Sequence, residues 1–113
     1  MSLKKALEAV PEDRLTRITA SVVVRYLHEH WHHHVDVARI VAATGQDEQR
    51  VCSVIEALLA GRVLDCVGDP PGYKFITDRV LRIEVDLYLR SSQGHAESMQ
   101  SNVERYRRMY HGR

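Results

Sequence analysis

Residues 28–34 read HEHWHHH and hold five of the seven histidines around the only tryptophan. Imidazole ligates zinc and changes charge near neutral pH, so the run is the first place to look for chemistry. His28 and His32 stand four apart, as do His30 and His34. On a helix that spacing offers two imidazoles to one metal, which makes His28 and His32 the metal candidates. The cluster falls, however, where a helix must stop and the connection to Val35 begins. Glu29 is the only carboxylate inside it, with Asp36 close by. The run is internal and interrupted, unlike a purification tag. The reading that follows is a polar helix end with Trp31 packed inward, without a metal or other cofactor.

Other chemistry is sparse. Cys52 and Cys66 lack the CxxC spacing of a zinc ribbon, and each sits in an apolar run, so both are expected as buried reduced thiols. There is no Gly-rich phosphate loop, no nucleophile elbow and no convergent set of carboxylates, so an enzyme is not expected. The 113 residues suit one domain, and their 44% hydrophobic and 27% charged composition is that of an ordinary globular protein. No apolar run reaches the length of a membrane span. Lys4 and Lys5 are followed by Glu8, Pro11, Glu12 and Asp13 instead of an apolar stretch, so no secretory signal is expected and the cytoplasm is the expected compartment.

The elements that would position functional residues are legible from spacing. Pro11-Glu12-Asp13 opens a helix whose apolar positions are Leu15, Ile18, Val22, Val23, Tyr26 and Leu27. Arg14, Arg17, Ser21, Arg25 and His28 share its opposite arc. Asp36 caps a short helix over 37–43, stopped by Thr44-Gly45. Asp47 caps a third, with Val51, Ile55 and Leu58 inward, Cys52 and Leu59 alongside, and Gly61 at its end. Glu48, Gln49, Arg50, Ser53, Glu56 and Ala57 are its expected exposed positions. Val63-Leu64 and Cys66-Val67, a turn over 68–72, and Tyr73, Phe75 and Ile76 predict a β-hairpin. Residues 81–89 alternate like a strand. The Thr77-Asp78 cap and a turn-free length of about 13 residues favour a helix over 78–90, apolar over more than half its circumference. After a break at Ser91-Ser92-Gln93-Gly94, Ala96, Met99, Val103, Tyr106 and Tyr110 recur at heptad spacing, predicting an amphipathic helix.

The segment VDVARIVAATGQDEQRVCSVIEALLAGRVLDCVGDPPGYKF resembles the winged helix-turn-helix superfamily, in particular the small bacterial transcriptional regulators. The resemblance lies in element order and spacing over about residues 12–90. It covers the Thr44-Gly45 turn, the apolar positions Val51, Ile55 and Leu58, and the Ala60-Gly61 stop before the hairpin. It implies a mainly α fold with a small β-hairpin: a winged helix-turn-helix domain over 1–90, with its recognition helix about 47–60 and its wing about 62–76. An amphipathic C-terminal helix would occupy 91–113. It also implies binding to double-stranded DNA and transcriptional regulation. Gln49, Arg50 and Ser53 would face the major groove and Lys74 would lie on the wing. Arg14, Arg17, Arg105, Arg107 and Arg108 are the candidates for the DNA backbone. Terminal helices form the dimer in such regulators. Ile83, Leu87, Met99, Val103, Tyr106 and Tyr110 are therefore the candidate contacts of a homodimer.

Charge distribution cuts the other way. Net charge is +1 for the chain, but residues 36–76 carry −2 while residues 1–35 carry +1 and residues 77–113 carry +2. Affinity for a duplex comes largely from neutralised phosphates. The recognition helix offers one basic residue against Glu48 and Glu56, and the hairpin sets Lys74 against Asp65 and Asp69. A winged-helix module that docks a protein partner is the alternative expectation.

Overall fold

Asp13 begins the first long helix. Its carboxylate accepts from the Thr16 amide at 3.0 Å and from the Thr16 hydroxyl at 2.7 Å, satisfying a donor that the first turn leaves free. In the computed structural model, which describes residues 2–91, that helix is the second of five among the described residues. The elements are α1 (Leu3–Glu8), α2 (Arg14–Glu29), α3 (Val37–Thr44), α4 (Glu48–Ala60), β1 (Leu64–Val67), β2 (Gly72–Phe75) and a helix α5 over 79–91. The fold is mainly α with one small antiparallel hairpin, as expected. No described helix is long and apolar enough to cross a membrane.

The caps read from sequence hold. Asp36 accepts from the Arg39 amide at 2.7 Å and Asp47 from the Arg50 amide at 3.2 Å. Gly45 ends α3 in the left-handed conformation, φ 69°, which costs glycine nothing because it has no Cβ. At the end of α4 the left-handed residue is Arg62, φ 60°, not Gly61. Gly61 answers a different need. A Cβ there would lie 2.4 Å from the Cβ of Ala6, so its bareness lets α1 press against the end of α4.

Helix α1 is absent from the sequence reading. It has six residues and only Leu3 and Ala6 buried, too short for a periodicity to register. Its start is held from far along the chain. Glu84 of α5 accepts from the Leu3 amide at 3.1 Å, the Lys4 amide at 3.2 Å and the Ser2 hydroxyl at 3.0 Å. Glu84 interrupts the otherwise apolar part of α5, and these three hydrogen bonds satisfy its carboxylate.

Helix α2 corrects the expected inward face. Leu15 and Ile18 are exposed, and the buried positions are Thr16, Thr19, Ala20, Val23, Val24 and Leu27. Two threonines whose hydroxyls are satisfied locally replace two aliphatic side chains that face water. The thiols are corrected too: Cys52 is half-buried and Cys66 exposed. Cys66 shares the face of Leu64 and stands opposite Tyr73, but it and Val67 are both exposed because the far end of β1 runs out past the core.

In the hairpin, Leu64 pairs with Phe75, Asp65 with Lys74, Cys66 with Tyr73 and Val67 with Gly72, so the connection is residues 68–71 and contains a cis Asp69-Pro70 peptide. Val35 makes an isolated antiparallel bridge to the hairpin, exchanging backbone bonds of 2.9 and 2.8 Å with Tyr73. Phe75 is fully buried, and Trp31 packs on it at 5.3 Å between ring centroids. The inward Trp31 of the sequence reading is therefore borne out.

Residues 79–91 are helical, which settles helix against strand. Asp78 caps the helix through the Val80 amide at 2.8 Å. The helix continues through Ser91, where a break was expected to begin. The alternation resolves into two stripes: Leu81, Val85 and Leu89 enter the core, while Val80, Ile83 and Leu87 stay exposed at 71%, 56% and 59%.

Candidate nucleic-acid interface

Helix α4 is held on three sides. Val51, Val54, Ile55, Ala57 and Leu58 are buried against α1, α2 and α3. Ala57, expected to be exposed, is a core residue. On the remaining side Glu48, Gln49 and Glu56 are exposed, with Ser53 partly covered. The Ser53 hydroxyl donates to the Gln49 carbonyl at 3.0 Å, leaving its oxygen free to accept.

Arg50 does not point outward with them. Its Nε donates to the Thr19 hydroxyl oxygen at 3.3 Å. That hydroxyl lies 2.8 Å from Oε1 of Gln46 and 3.0 Å from the Leu15 carbonyl. Arg50 thus staples the start of α4 to α2. Around it, where α2 and α4 begin, lies an open hollow of about 720 Å³ bordered by Asp13, Asp47, Glu48 and Glu56 as well as Gln49 and Ser53. The Asp13 carboxyl is held below its usual value by the two Thr16 hydrogen bonds, with Arg50 adding attraction. It therefore stays charged throughout the neutral range. The hollow is acidic, with one guanidinium inside it.

Lys74 stands across from Asp65 in the hairpin, and Asp65 also lies 3.0 Å from Nε2 of His34. The tip carries exposed Asp69, Pro70 and Pro71. Of the backbone candidates, Arg14 and Arg17 are both exposed. Arg17 borders a groove between α1, α2 and α5, on the flank of α2 away from the Thr19 contact with α4. The structure therefore does not gather Arg17 with Gln49 and Ser53. Arg105, Arg107, Arg108, Met99, Val103, Tyr106 and Tyr110 lie outside the described residues. Ile83 and Leu87 are exposed.

The imidazoles separate. Helix α2 ends at Glu29, so His32 lies past it and loses its helical spacing from His28. His28 meets the edge of Trp31 at 5.9 Å, and Nδ1 of His30 lies 2.9 Å from the Tyr26 carbonyl. His34 turns to Asp65, and His32 and His33 face solvent. Among the described residues no three His, Cys, Asp or Glu side chains form a group able to hold a metal. One contact escaped sequence reasoning: the Arg82 guanidinium sits 5.4 Å from the centre of the Trp31 ring and joins α5 to the histidine-rich loop.

No family model, curated protein or solved structure matches the chain.

Proposed function

We propose that this chain is a winged-helix DNA-binding protein, a non-enzymatic transcriptional regulator that sets α4 in the major groove and the β1–β2 hairpin on the flanking backbone. The observation that carries the reading is the succession of α3, a left-handed turn at Gly45, α4 and the hairpin, with Val35 making an isolated backbone bridge to Tyr73 of β2. One side of α4 is open, and Gln49 and Ser53 stand on it. Glutamine suits the donor and acceptor pair of adenine, and a serine hydroxyl suits a base edge or a phosphate. Arg50 joins them only by exchanging Thr19 for a guanine or a phosphate. Lys74 is the cation of the hairpin.

The experiment is titration of a labelled duplex with the full chain, alongside Gln49→Ala/Ser53→Ala. The reading expects binding at low salt that the double variant weakens at least several-fold. Equal affinity of the two proteins would remove α4 from the interface.

A second reading has its own support. Asp47, Glu48 and Glu56 repel phosphate, and the nearest guanidinium is already bonded within the fold. These features favour α4 as a docking surface for a protein partner with a basic face. No duplex binding at low salt would leave that reading in place of the first.

A further inference from the structure

The exposed aliphatic side chains of α5 stand in one row. Val80, Ile83 and Leu87 face solvent, while Leu81, Val85 and Leu89 enter the core. At about 100° per residue, the three exposed side chains fall within roughly 60° of one another. Their spacing fits a second copy of the same row. Val80 lies three residues before Ile83, and Leu87 four after it. On one flank of the row, Arg79 lies four residues before Ile83, and Asp86 three after it. Two copies of α5 packed antiparallel about a two-fold axis at Ile83 therefore bring like to like and charge to opposite charge. Each Val80 comes level with Leu87 of the other copy, each Ile83 with its own counterpart, and each Arg79 with Asp86 of the other copy. The match holds to within one residue, about 1.5 Å of helix rise. A two-fold contact demands such self-complementarity, because one patch must serve both sides, and it keeps like flanks together.

We propose that this face of α5 is a homodimer interface, with α5 antiparallel to α5 of a second copy about a two-fold axis at Ile83. The charges decide the occupant, since one flank carries both signs in mirrored order. Asp86 already meets Arg90 at 3.0 Å, and its side chain stays 46% exposed, open to a second guanidinium. Glu84, on the opposite flank, would face its own counterpart, but its carboxylate is turned to Ser2, Leu3 and Lys4. Exposed ion pairs add little affinity, so Arg79 and Asp86 set direction and register while the aliphatic row supplies the attraction. The contact extends past the helix. Leu87 also borders the groove of about 750 Å³ lined by Leu3, Leu7, Val10 and Ala20. Val80 of the second copy thus arrives beside further apolar surface, as an interface of at least about 1,000 Å² requires. The dimer is independent of what α4 binds.

The test uses the full chain. Light scattering after gel filtration at micromolar protein is expected to give a dimer. Ile83→Glu is expected to give a monomer with an unchanged circular dichroism spectrum, because Ile83 lies outside the core. Arg79→Glu is expected to weaken dimerisation, and Arg79→Glu/Asp86→Arg to restore it. In a Cys52→Ser/Cys66→Ser background, oxidised Ile83→Cys is expected to form a covalent dimer, since a residue on the axis meets its own counterpart. Val80→Cys, whose two copies stand about 10 Å apart along the helices, is expected to stay open. A monomeric parent chain would overturn the assignment, as would a dimer that survives Ile83→Glu. Closure of Val80→Cys as readily as Ile83→Cys, or a charge swap that restores nothing, would overturn the antiparallel register.

Discussion

Glu84 shows how much one side chain can carry. Burial alone would raise its carboxyl, but the Leu3 and Lys4 amides and the Ser2 hydroxyl outweigh that and hold it below the usual value of 4.5. A carboxylate with a lowered value stabilises the fold above its unfolded value, and the contribution is lost as pH falls through the folded one. Glu84→Gln is expected to cost about 1.5–3 kcal/mol at neutral pH, the range for hydrogen bonds to a charged group, read from urea unfolding. The difference between the two proteins should shrink as the pH falls below 4.5. Gly61 makes the complementary case. Gly61→Ala drives a methyl into Ala6 and should cost about 1–3 kcal/mol. Ala6→Gly in the same chain should recover part of that loss, a coupling that a thermal melt of the double variant measures. Neither residue declares its role in the sequence. Gly61 reads as a helix stop and Glu84 as a misplaced charge, because both act on α1, which is too short to be seen. The caps Asp36 and Asp47 were legible because their partners lie three residues away.

At the scale of elements, α4 poses the functional question. Its buried side was legible, since Val51, Ile55 and Leu58 mark it by spacing alone. Its outward side was read less well. Ala57 turned inward and Arg50 turned to Thr19, and both depend on neighbours that periodicity does not describe. If α4 meets a duplex, Glu56 opposes it. Glu56→Lys is then expected to raise affinity and to steepen the salt dependence by about one phosphate, or 0.9 in the slope of log K against log salt. An unchanged slope in an anisotropy titration would place Glu56 away from the backbone. For α5, alternation and helix gave the same residues different faces. The Asp78 cap decided between them, and helical geometry then split one apolar run into a core stripe and an exposed one.

For the whole molecule, element order was the most legible property. The order from α2 to α5 follows from spacing, caps and turn residues, each local in the chain. What was not legible is how charge gathers in space. The net −2 of residues 36–76 already warned against a phosphate-binding face. Only the fold shows that Asp13 of α2 joins Asp47, Glu48 and Glu56 around Arg50, and that Arg17 leaves for the other flank. A duplex-binding chain must therefore draw its phosphate contacts from beyond the α4 hollow, with Arg14 and Lys74 as described candidates. The most direct test of the central claim is anisotropy of a labelled non-specific duplex with the full chain at about 50 and about 200 mM salt. The DNA-binding account predicts measurable affinity at the lower salt and a drop of at least tenfold at the higher, as several phosphate contacts require. Absence of binding at the lower salt would contradict it and leave α4 as a protein-docking surface.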